Sequence, residues 1–584
     1  MSSILNNIKD RREYVKYIGG AVVGAVIVGA YSAMNPSTVE TTVTQTKTEQ
    51  AAAGAAQTVT QTVTKTEQAA APKTEIKNPG NIIYQYTDPI THGDPPLIWA
   101  AGVGGINYHV YDRLFIFGAS SSPKAWLVDS YEKNAAGTEW TFTLKSGIKF
   151  HSGNPLEAKD VKWSLDRAAF HKHPASGILH PMFNPERGDS IEVVNDLTFK
   201  IKTKVPAFSL IYAFAQDGTA IIDSETVKPH VPADGETAGK ALQWLMENEA
   251  GSGPWLVESE DVGVKTVFVR WDDYWAGPAK LKRWTHMVVK EPATYTAMLE
   301  KGDVDILSRP PHSLIQDIGS KPGIQVIRTG VTAALLNILY DHTHPVIGKK
   351  EVRQALSHAT PYEEILQGIV FGYGKRAYSF SIDGMVGWIP PTENPYNLNI
   401  PKAKELMAKA GYADGVDIGD STWGSFLPAF GDMAILTQEQ WDKLGVKCEH
   451  IAMDDGPRWE GYFNHEYSFN WDSWLMGIDG MFTSVPFYFT LDENGEPGPN
   501  NFVWWVNQEA SDLADKIQAT QDLADRNRAI TDWHRMAIDD AILGWLYHQE
   551  FPFIARDWVT VDFINMAPRP LLPRPYEWGW YKPE

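Results

Sequence analysis

The sequence predicts a mixed α/β protein built from more than one globular unit. Three observations support this prediction. The chain has 584 residues, more than a single hydrophobic core usually supports. Its composition, 43% hydrophobic and 21% charged, is that of an ordinary globular protein. Short alternating strand patterns interleave with helical patterns along most of the chain, which is typical of α/β architecture.

Charge and cysteine content exclude several classes of function. The formal net charge is −20; residues 1–77 hold 8 Lys and Arg against 6 Asp and Glu, so residues 78–584 carry 44 against 66, or −22. A body this acidic repels phosphate backbones, and no nucleic-acid partner is expected. Cys448 is the one cysteine of the sequence. A single cysteine at this position excludes an intramolecular disulfide, a zinc site built on several cysteines and a lipid-anchoring cysteine behind the N-terminal apolar run.

The first 34 residues have the pattern of a membrane anchor or a signal segment. Four basic residues between positions 9 and 16 precede an uncharged run of 18 residues, 17–34. Positive charge before an apolar run places that end in the cytoplasm and the body of the chain outside. The run is at the lower limit for a membrane span and a little long for a signal core. We expect a retained anchor; cleavage after the small residues Val28 and Ala30 is the alternative.

Residues 35–77 are rich in Thr, Gln and Ala and contain a near-repeat. The strings "KTEQAAA" and "TVTQT" each occur twice. Such a composition offers too little apolar surface for a core and predicts disorder. A flexible segment of 43 residues reaches about 35–40 Å by the coil estimate. We expect a stalk outside the membrane; the alternative is a disordered leader that is removed.

The body, from residue 78 onward, alternates between strand and helix signals. "EWTFTLK" alternates polar and apolar residues as a half-buried strand does, "GIKF" predicts a second short strand, and "IEVVNDLTFKIKT" predicts a hairpin that turns at Asn195 and Asp196. "NPLEAKDVKWSLDRA" predicts a helix with acidic residues in its first turn. "PKAKELMAKAGYADG" predicts a helix that ends at Gly411, and "LADKIQATQDLADRNRAITDWHRMAIDDA" predicts two more.

The segment Trp140 to Ala168 resembles the most recognisable segment of the family 5 extracellular solute-binding proteins, the large receptors of peptide/nickel-type ABC importers. Further segments resemble the family in the same order, over about residues 95–558: "VVNDLTFKIKTKVPAF", "GSGPWLVE", "DDYWAGPAKL", "MLEKGDVDIL", "KKEVRQALSHAT" and "NIPKAKELMAKAGYADG". The anchor and Thr-rich stalk resemble archaeal-type members. The matching positions of the first segment are Phe142, Leu144, Lys149, Phe150, Gly153, Pro155, Ala158, Asp160, Val161, Ser164 and Arg167.

The resemblance implies a periplasmic-binding-protein-like type II fold of cluster C, with two lobes and an additional inserted domain. In this family the ligand is enclosed by hinge closure. The implied organisation begins with the leader and anchor at 1–34 and the stalk at 35–77. Domain I is discontinuous, domain II is inserted into it as a scaffold, and domain III is the C-terminal ligand-binding lobe. Their bounds are 78–121, 206–330 and 556–584 for domain I, 122–205 for domain II, and 331–555 for domain III.

The resemblance also implies a set of ligand-binding residues. "WEGYFNHEYSFNWDSWLMGIDGMFTSVP", residues 459–486, resembles a cleft-lining segment of oligopeptide binders. Trp459 falls where the family has a cleft tryptophan, and Asp472 and Gly477 also match. The family's aspartate for a peptide's α-amino group falls at Met481, so Asp479 is the candidate replacement.

Two positions in a glycine-rich segment and several tryptophans complete the candidate site. Val103 and Gly104 resemble a segment that offers backbone hydrogen bonds to the ligand, or they form a plain turn. Trp474 and Trp423 are candidate stacking platforms, since flat aromatic faces suit sugar rings as well as peptide side chains; core packing is the alternative for each. The family's cationic positions fall near Glu466, which weakens the free-peptide interpretation.

These features predict a binding protein with no catalytic residues, cofactor or metal. The sequence has no phosphate-binding loop with Lys-Ser/Thr, no G-x-S-x-G and no H-E-x-x-H. We expect an extracellular, membrane-anchored, monomeric receptor that captures oligopeptides and delivers them to ABC permease subunits. The alternatives are the same role for oligosaccharides and a surface sensor without transport.

Overall fold

The structure, a computed structural model, falls into two units, residues 1–75 and 76–584. The residues it describes are 26–29, 38–50, 56–68, 76–87, 89–97, 106–117, 123–171, 190–204, 206–237, 240, 242–328, 330–424, 429–475, 484–492, 494–498, 501–560 and 579–580.

The N-terminal unit contains three antiparallel strands: Val26–Gly29, Thr38–Gln50 and Ala56–Gln68. The two long strands differ from the disordered stalk that the composition predicts. Each carries a copy of the "TVTQT" repeat, whose β-branched residues favour extended backbone. The structure describes only Val26–Gly29 of the predicted anchor. Among the described residues, no helix combines the length and hydropathy of a membrane span.

The second unit contains a seven-stranded sheet that we call the first-lobe sheet. Its central strand, Asn81–Tyr86, is almost wholly buried and lies parallel to both of its neighbours, as strands covered on both faces commonly do. In spatial order the strands are Trp255–Asp261, Lys265–Arg270, Arg283–Val288, Asn81–Tyr86, Ile306–Leu307, Phe553–Arg556 and Ile324–Ile327.

A four-stranded antiparallel sheet, the insertion sheet, is formed entirely by residues 128–202. Its strands, in spatial order, are Val128–Lys133, Glu139–Leu144, Thr198–Lys202 and Ile191–Val193. The strand predicted from "EWTFTLK" and the hairpin at residues 191–202 are confirmed. The predicted "GIKF" strand is wrong: only an isolated bridge joins Lys149 to Pro155, because tight turns with positive-φ Gly147 and Gly153 bound it.

A six-stranded sheet, the C-terminal sheet, carries most of the rest of the chain. Its long strand Val331–Tyr340 is paired on both sides and buried on both faces. Leu335 and Leu339 face one cluster of buried side chains, and Ile338 and Tyr340 face a second. In spatial order the strands are Gly374–Arg376, Leu543–Glu550, Val331–Tyr340, Phe469–Leu475, Ser421–Gly424 and His450–Met453.

Helices cover these sheets, and short two-stranded pairs complete the fold. The helices predicted from residues 154–168, 401–415 and 513–541 are confirmed as Ala158–His171, Ile400–Lys409, Gln508–Ala519 and Leu523–Asp539. The other α-helices described are Asn107–Val110, Leu210–Ala213, Ser224–Val227, Pro292–Lys301, His312–Gly319, Lys350–His358, Tyr362–Glu364, Ala429–Trp441, Asp455–Phe463 and Ser484–Phe489, with a π-turn at Ile365–Ile369. The strand pairs are Phe115–Phe117 with Pro123–Ala125, Val416–Asp417 with Val446–Lys447, and Val559–Thr560 with Gly579–Trp580.

The three large sheets follow the order of the implied domains, whose bounds stay a prediction. One detail differs from them: the strand Phe553–Arg556 belongs to the first-lobe sheet, although the resemblance implies domain III for residues 553–555. This strand pairs with Ile306–Leu307 and Ile324–Ile327. The chain therefore re-enters the first-lobe sheet at residue 553, a few residues before the implied boundary at 556.

A buried ion-pair network fastens the insertion to the first lobe. Arg167, on the helix Ala158–His171, donates to both carboxylate oxygens of Asp94 at 3.0 and 2.6 Å and to Glu236 at 2.7 Å. His171 Nε2 lies 2.8 Å from Glu236 Oε1. Asp94, His171 and Glu236 each place an atom within 4.8 Å of one another, as metal ligands do. The guanidinium of Arg167 already supplies the positive charge there.

Two further buried carboxylates join the same parts of the chain. Asp112 accepts hydrogen bonds from the indoles of Trp126 and Trp275 at 2.9 Å each. Asp223 accepts from the Ser152 hydroxyl at 2.6 Å and caps the helix Ser224–Val227. Both carboxylates belong to the first-lobe part of the chain, and Trp126 and Ser152 belong to the insertion. The insertion is therefore held to the first lobe at several points.

Asp305, which matches the family-like "GDVDIL" segment, makes stability depend on pH. Burial raises the pKa of Asp305 to about 6, although hydrogen bonds from the Ile83 amide and the Trp558 indole lower it. Between about pH 4 and pH 6 the folded protein therefore holds a proton that the unfolded chain releases. This carboxyl makes the free energy of unfolding fall as pH rises through that window, and it adds no slope above it.

In the parent, the free energy of unfolding should fall between pH 4 and pH 6 because of Asp305. We expect Asp305→Asn to remove about 2–3 kcal/mol of this fall, because the pKa of Asp305 is raised by about two units. Urea unfolding at several pH values measures the slope. Asp303→Asn is the matched control, since Asp303 is exposed and pairs with Lys77 at the surface. Parallel stability curves for the parent and Asp305→Asn between pH 4 and 6 would contradict the assignment.

Candidate ligand site between the two lobes

The chain passes between the first-lobe sheet and the C-terminal sheet twice, once between the strands that end at Ile327 and begin at Val331, and once between those that end at Glu550 and begin at Phe553. An ion pair joins the two passages: Arg328 Nε donates to Glu550 Oε1 at 2.8 Å, and Glu550 is only 3% exposed. The Arg328 guanidinium also lies 5.0 Å from the Tyr373 ring, which stacks on His312 at 5.6 Å. Burial lowers the pKa of His312 to about 4. We call this junction the crossing.

Arg309 is the most unusual side chain at the crossing. Its guanidinium carbon lies 5.3 Å from the Tyr86 ring centroid and 5.2 Å from that of Phe551. Tyr86 ends the central strand of the first-lobe sheet, and Arg309 follows the neighbouring parallel strand Ile306–Leu307. Arg309 is therefore at the carboxyl ends of two parallel strands, where ligands of open α/β sheets commonly bind.

The conformation and surroundings of Arg309 distinguish it from structural arginines. Its φ of 49° lies in the left-handed region, which costs a non-glycine residue about 1–3 kcal/mol and is concentrated at functional sites. Within the described part of the chain, its half-buried guanidinium makes no hydrogen bond and no ion pair. A guanidinium held between aromatic faces, with its N–H groups unused, is suited to bind a carboxylate.

A second wall of the crossing comes from the C-terminal sheet. Phe551 packs with Ala334, on the strand Val331–Tyr340, and with half-buried Tyr108. The Arg113 guanidinium lies 5.0 Å from the Tyr108 ring and pairs with Asp217. Ala334 is in register with Leu475, the last residue of the strand that precedes Gly477 and Asp479. Phe551, which lies beside the Arg309 guanidinium, thus packs against side chains from both lobes.

The sequence-predicted tryptophans divide between two places. Trp459 and Trp474 share one aromatic cluster, since each contacts Phe502, at 6.1 and 6.0 Å between ring centroids. Trp474 is buried and stacks on Phe380 at 6.2 Å, as a core residue does. Half-buried Trp423 is apart from them: it packs against the second cluster of the C-terminal sheet. Val103, Gly104, Gly477 and Asp479 lie outside the described residues, and the predicted set of ligand-binding residues stays a prediction.

Trp459 belongs to a partly exposed aromatic surface. Its ring stacks on Phe463 at 5.5 Å with 22° between planes, and the buried Arg458 guanidinium lies 4.6 Å away. Phe463 is 43% exposed. Trp504 extends the surface and contacts His465 at 4.4 Å; both of these residues have positive φ. These flat faces offer apolar contact to a ligand's side chains or rings.

The sequence patterns do not predict four residues of these surfaces: Arg309, Phe551, Phe463 and Trp504. The signal for Arg309 is present in "ILSRPPH", where a charged residue follows a buried strand and precedes two prolines. No pattern in the sequence brings Tyr86, Arg309 and Phe551 together, because their proximity depends on the pairing of strands from distant parts of the chain.

Comparison with known proteins identifies the family. The sequence profile of the bacterial extracellular solute-binding proteins, family 5 Middle, matches residues 122–496. The chain belongs to this family. The probable D,D-dipeptide-binding periplasmic protein DdpA of Escherichia coli K12 is 26% identical over 497 residues, 83% of this chain and 90% of the relative. The oligopeptide-binding protein AppA of Bacillus subtilis is 24% identical, over 73% of this chain and 78% of the relative.

Solved structures share the fold of this family 5 protein. AgaA of A. tumefaciens R10, in complex with agropinic acid, has a TM-score of 0.71 at 22% identity and covers 86% of this chain and 99% of its own. DppA of Helicobacter pylori, in complex with the peptide STSA, has a TM-score of 0.69 at 18% identity, with 86% and 98% covered. The predicted type II periplasmic-binding fold is confirmed. The family's members are solute-binding receptors of ABC importers, not enzymes, which confirms the predicted class.

Proposed function

We propose that this receptor captures short peptides with a free C-terminal carboxylate and delivers them to an ABC permease. The observation that carries the proposal is Arg309: a guanidinium between Tyr86 and Phe551, at the crossing, without a carboxylate partner among the described residues. A buried or half-buried charge is costly unless it is paired, so a ligand carboxylate completes the arrangement. Neutral oligosaccharides leave this charge unmatched, although the aromatic surface around Trp459 suits their rings.

The relatives support the same ligand class. Their names include D,D-dipeptides, oligopeptides and glutathione, all of which carry carboxylates, and one relative is named for heme. We further propose that the protein is a monomer on the outer side of the cytoplasmic membrane, held there by its N-terminal segment. The basic residues before the apolar run at 17–34 support this placement.

Native mass spectrometry of the full chain tests the ligand class. The protein is purified without added solute, its mass is measured intact, and the molecules released on denaturation are identified. We expect short peptides with free C-termini. A set of released molecules spaced by hexose units and lacking carboxylates would overturn the peptide assignment and favour the oligosaccharide alternative.

A further inference from the structure

The insertion contacts the C-terminal lobe through residues other than those of the crossing. The turn at residues 134–138 follows the strand Val128–Lys133 and reaches the loop between the helices Gln508–Ala519 and Leu523–Asp539. Lys133 Nζ donates to Gln521 Oε1 at 3.3 Å, and Gln521 Nε2 donates to the Ala135 carbonyl at 3.3 Å. Gly137 approaches so closely that a Cβ there would lie 2.9 Å from Gln521 Nε2.

A cation–π contact lies beside these hydrogen bonds. The guanidinium carbon of Arg526, at the start of the helix Leu523–Asp539, lies 3.3 Å from the ring centroid of Phe208. Arg526 is fully buried and Phe208 is half-buried, so the contact is shielded from water, which strengthens it. Lys133 Nζ lies 5.5 Å from the same ring. Groups from distant parts of the chain thus meet at one surface, which we call the clamp: Lys133, Phe208, Gln521 and Arg526 with the Ala135 carbonyl.

The clamp spans the two lobes. The insertion is fastened to the first lobe by Arg167, Asp112 and Asp223, and therefore moves with it. The helix Leu523–Asp539 leads directly into the strand Leu543–Glu550 of the C-terminal sheet and moves with that sheet. The two chain passages at the crossing also join the lobes, through residues that are not part of the clamp. Rotation of one lobe against the other must break or form the clamp contacts.

We propose that Phe208 and Gln521 determine solute affinity without touching the solute, by setting the fraction of molecules that are closed. The inference rests on the solute-binding function but not on the peptide assignment. When only the closed state holds solute tightly, the apparent dissociation constant is the intrinsic value divided by the closed fraction. A clamp variant that lowers the closed fraction of solute-loaded protein also releases solute faster.

Pulsed electron paramagnetic resonance of the full chain tests the clamp without any solute. Spin labels are attached at Lys202→Cys, on the insertion sheet, and Arg528→Cys, on the helix Leu523–Asp539, in a Cys448→Ser background. Both labelled side chains are exposed, at 57% and 69%. We expect Gln521→Ala and Phe208→Leu to move the distance distribution towards longer values. Phe208→Leu keeps an apolar side chain in place, so a shift reports the lost cation–π contact and not a lost core residue.

The matched control is Lys321→Gln, which removes an exposed ion pair with Glu300 inside the first lobe. We expect it to leave the distribution unchanged. A second measurement titrates a synthetic tetrapeptide mixture into the unlabelled variants, and a tenfold drop in the closed fraction predicts about tenfold weaker binding.

The two proposals fail in different ways. Distributions of Gln521→Ala and Phe208→Leu that coincide with the parent would overturn the clamp, whatever the peptides do. Longer distances in both variants, without tetrapeptide binding by the parent, keep the clamp and reject the peptide assignment. Longer distances with unchanged tetrapeptide affinity would show that the contact does not control binding, which also overturns the inference.

Discussion

Replacing Arg309 with alanine is expected to weaken the binding of peptides with a free C-terminus by roughly 30- to 150-fold, about 2–3 kcal/mol. The half-buried guanidinium is flanked by the Tyr86 and Phe551 rings, which reduce its contact with water, and we expect a carboxylate bound there to make charge-assisted hydrogen bonds. Removal of Arg309 leaves a ligand carboxylate without its partner. Isothermal titration with a defined tetrapeptide measures the loss.

The same peptide with an amidated C-terminus makes the test specific. Amidation removes the negative charge, so the parent protein is expected to bind the amide about as weakly as Arg309→Ala binds the free acid. In Arg309→Ala the acid and the amide are expected to bind equally, since the partner of the carboxylate is gone. Arg309→Lys keeps the positive charge but lacks the planar guanidinium. Its affinity for the free-acid peptide is expected to lie between those of the parent and Arg309→Ala.

Arg528→Ala is the matched control for Arg309→Ala. Arg528 is exposed and pairs with neighbouring Asp525, and we expect its replacement to change affinity by less than about twofold. A preference of Arg309→Ala for the acid over the amide as large as that of the parent would show that the carboxylate binds elsewhere. In that case, any loss of affinity in Arg309→Ala comes from a change in the structure of the crossing and not from a lost contact with the carboxylate.

Local sequence patterns predicted the elements that local chemistry determines. The alternation in "EWTFTLK" predicted the strand Glu139–Leu144, and the 3.6-residue periodicity predicted the helix Ala158–His171. "GIKF" has the same alternation but forms only one bridge, because the positive-φ glycines at 147 and 153 leave no room for a longer ladder. Residues 38–50 and 56–68 differ in the opposite direction: their composition predicts disorder, whereas the structure describes two paired strands that carry the β-branched repeat.

The candidate site could be predicted only in part, for a physical reason. Trp459 was singled out because its segment resembles a cleft-lining segment, and it lies on a half-exposed aromatic surface. Arg309 was not, because its environment is built by Tyr86 and Phe551, which are more than 200 residues away in sequence on either side. A hydrogen-bonded sheet brings distant residues to one edge, and a single sequence carries no local record of that pairing.

The family-like segment Trp140 to Ala168 contains residues with a structural role. Arg167 and Asp160 occupy matching positions, and both act in fastening the helix Ala158–His171. Asp160 accepts hydrogen bonds from the Ser224 hydroxyl and from the Glu157 amide, at 2.6 and 3.0 Å. Arg167 holds Asp94 and Glu236. These two positions of the motif thus attach the insertion to the first lobe.

The attachment explains the second large effect that we expect: Arg167→Ala should lower the free energy of unfolding by about 3–5 kcal/mol. Asp94 has no exposed side-chain surface, and Glu236 is 15% exposed, so both carboxylates lose their cation in a place where water cannot replace it. Arg283→Ala is the matched control. It removes an exposed pair with Glu258, and we expect a loss within about 1 kcal/mol.

Acid dependence separates this ion-pair loss from a simple loss of packing. Burial alone would raise the pKa of Glu236, but hydrogen bonds from His171 and Arg167 lower it to about 2. The network therefore contributes stability that is fully present above the ordinary carboxylate pKa, near 4.5, and is lost as pH falls towards about 2. In Arg167→Ala this loss is already present at neutral pH, so the gap between parent and variant in urea unfolding should narrow on acidification. A gap that is constant from neutral pH to about pH 3 would show that Arg167 acts through packing of its side chain, and that its charge does not hold the insertion to the first lobe.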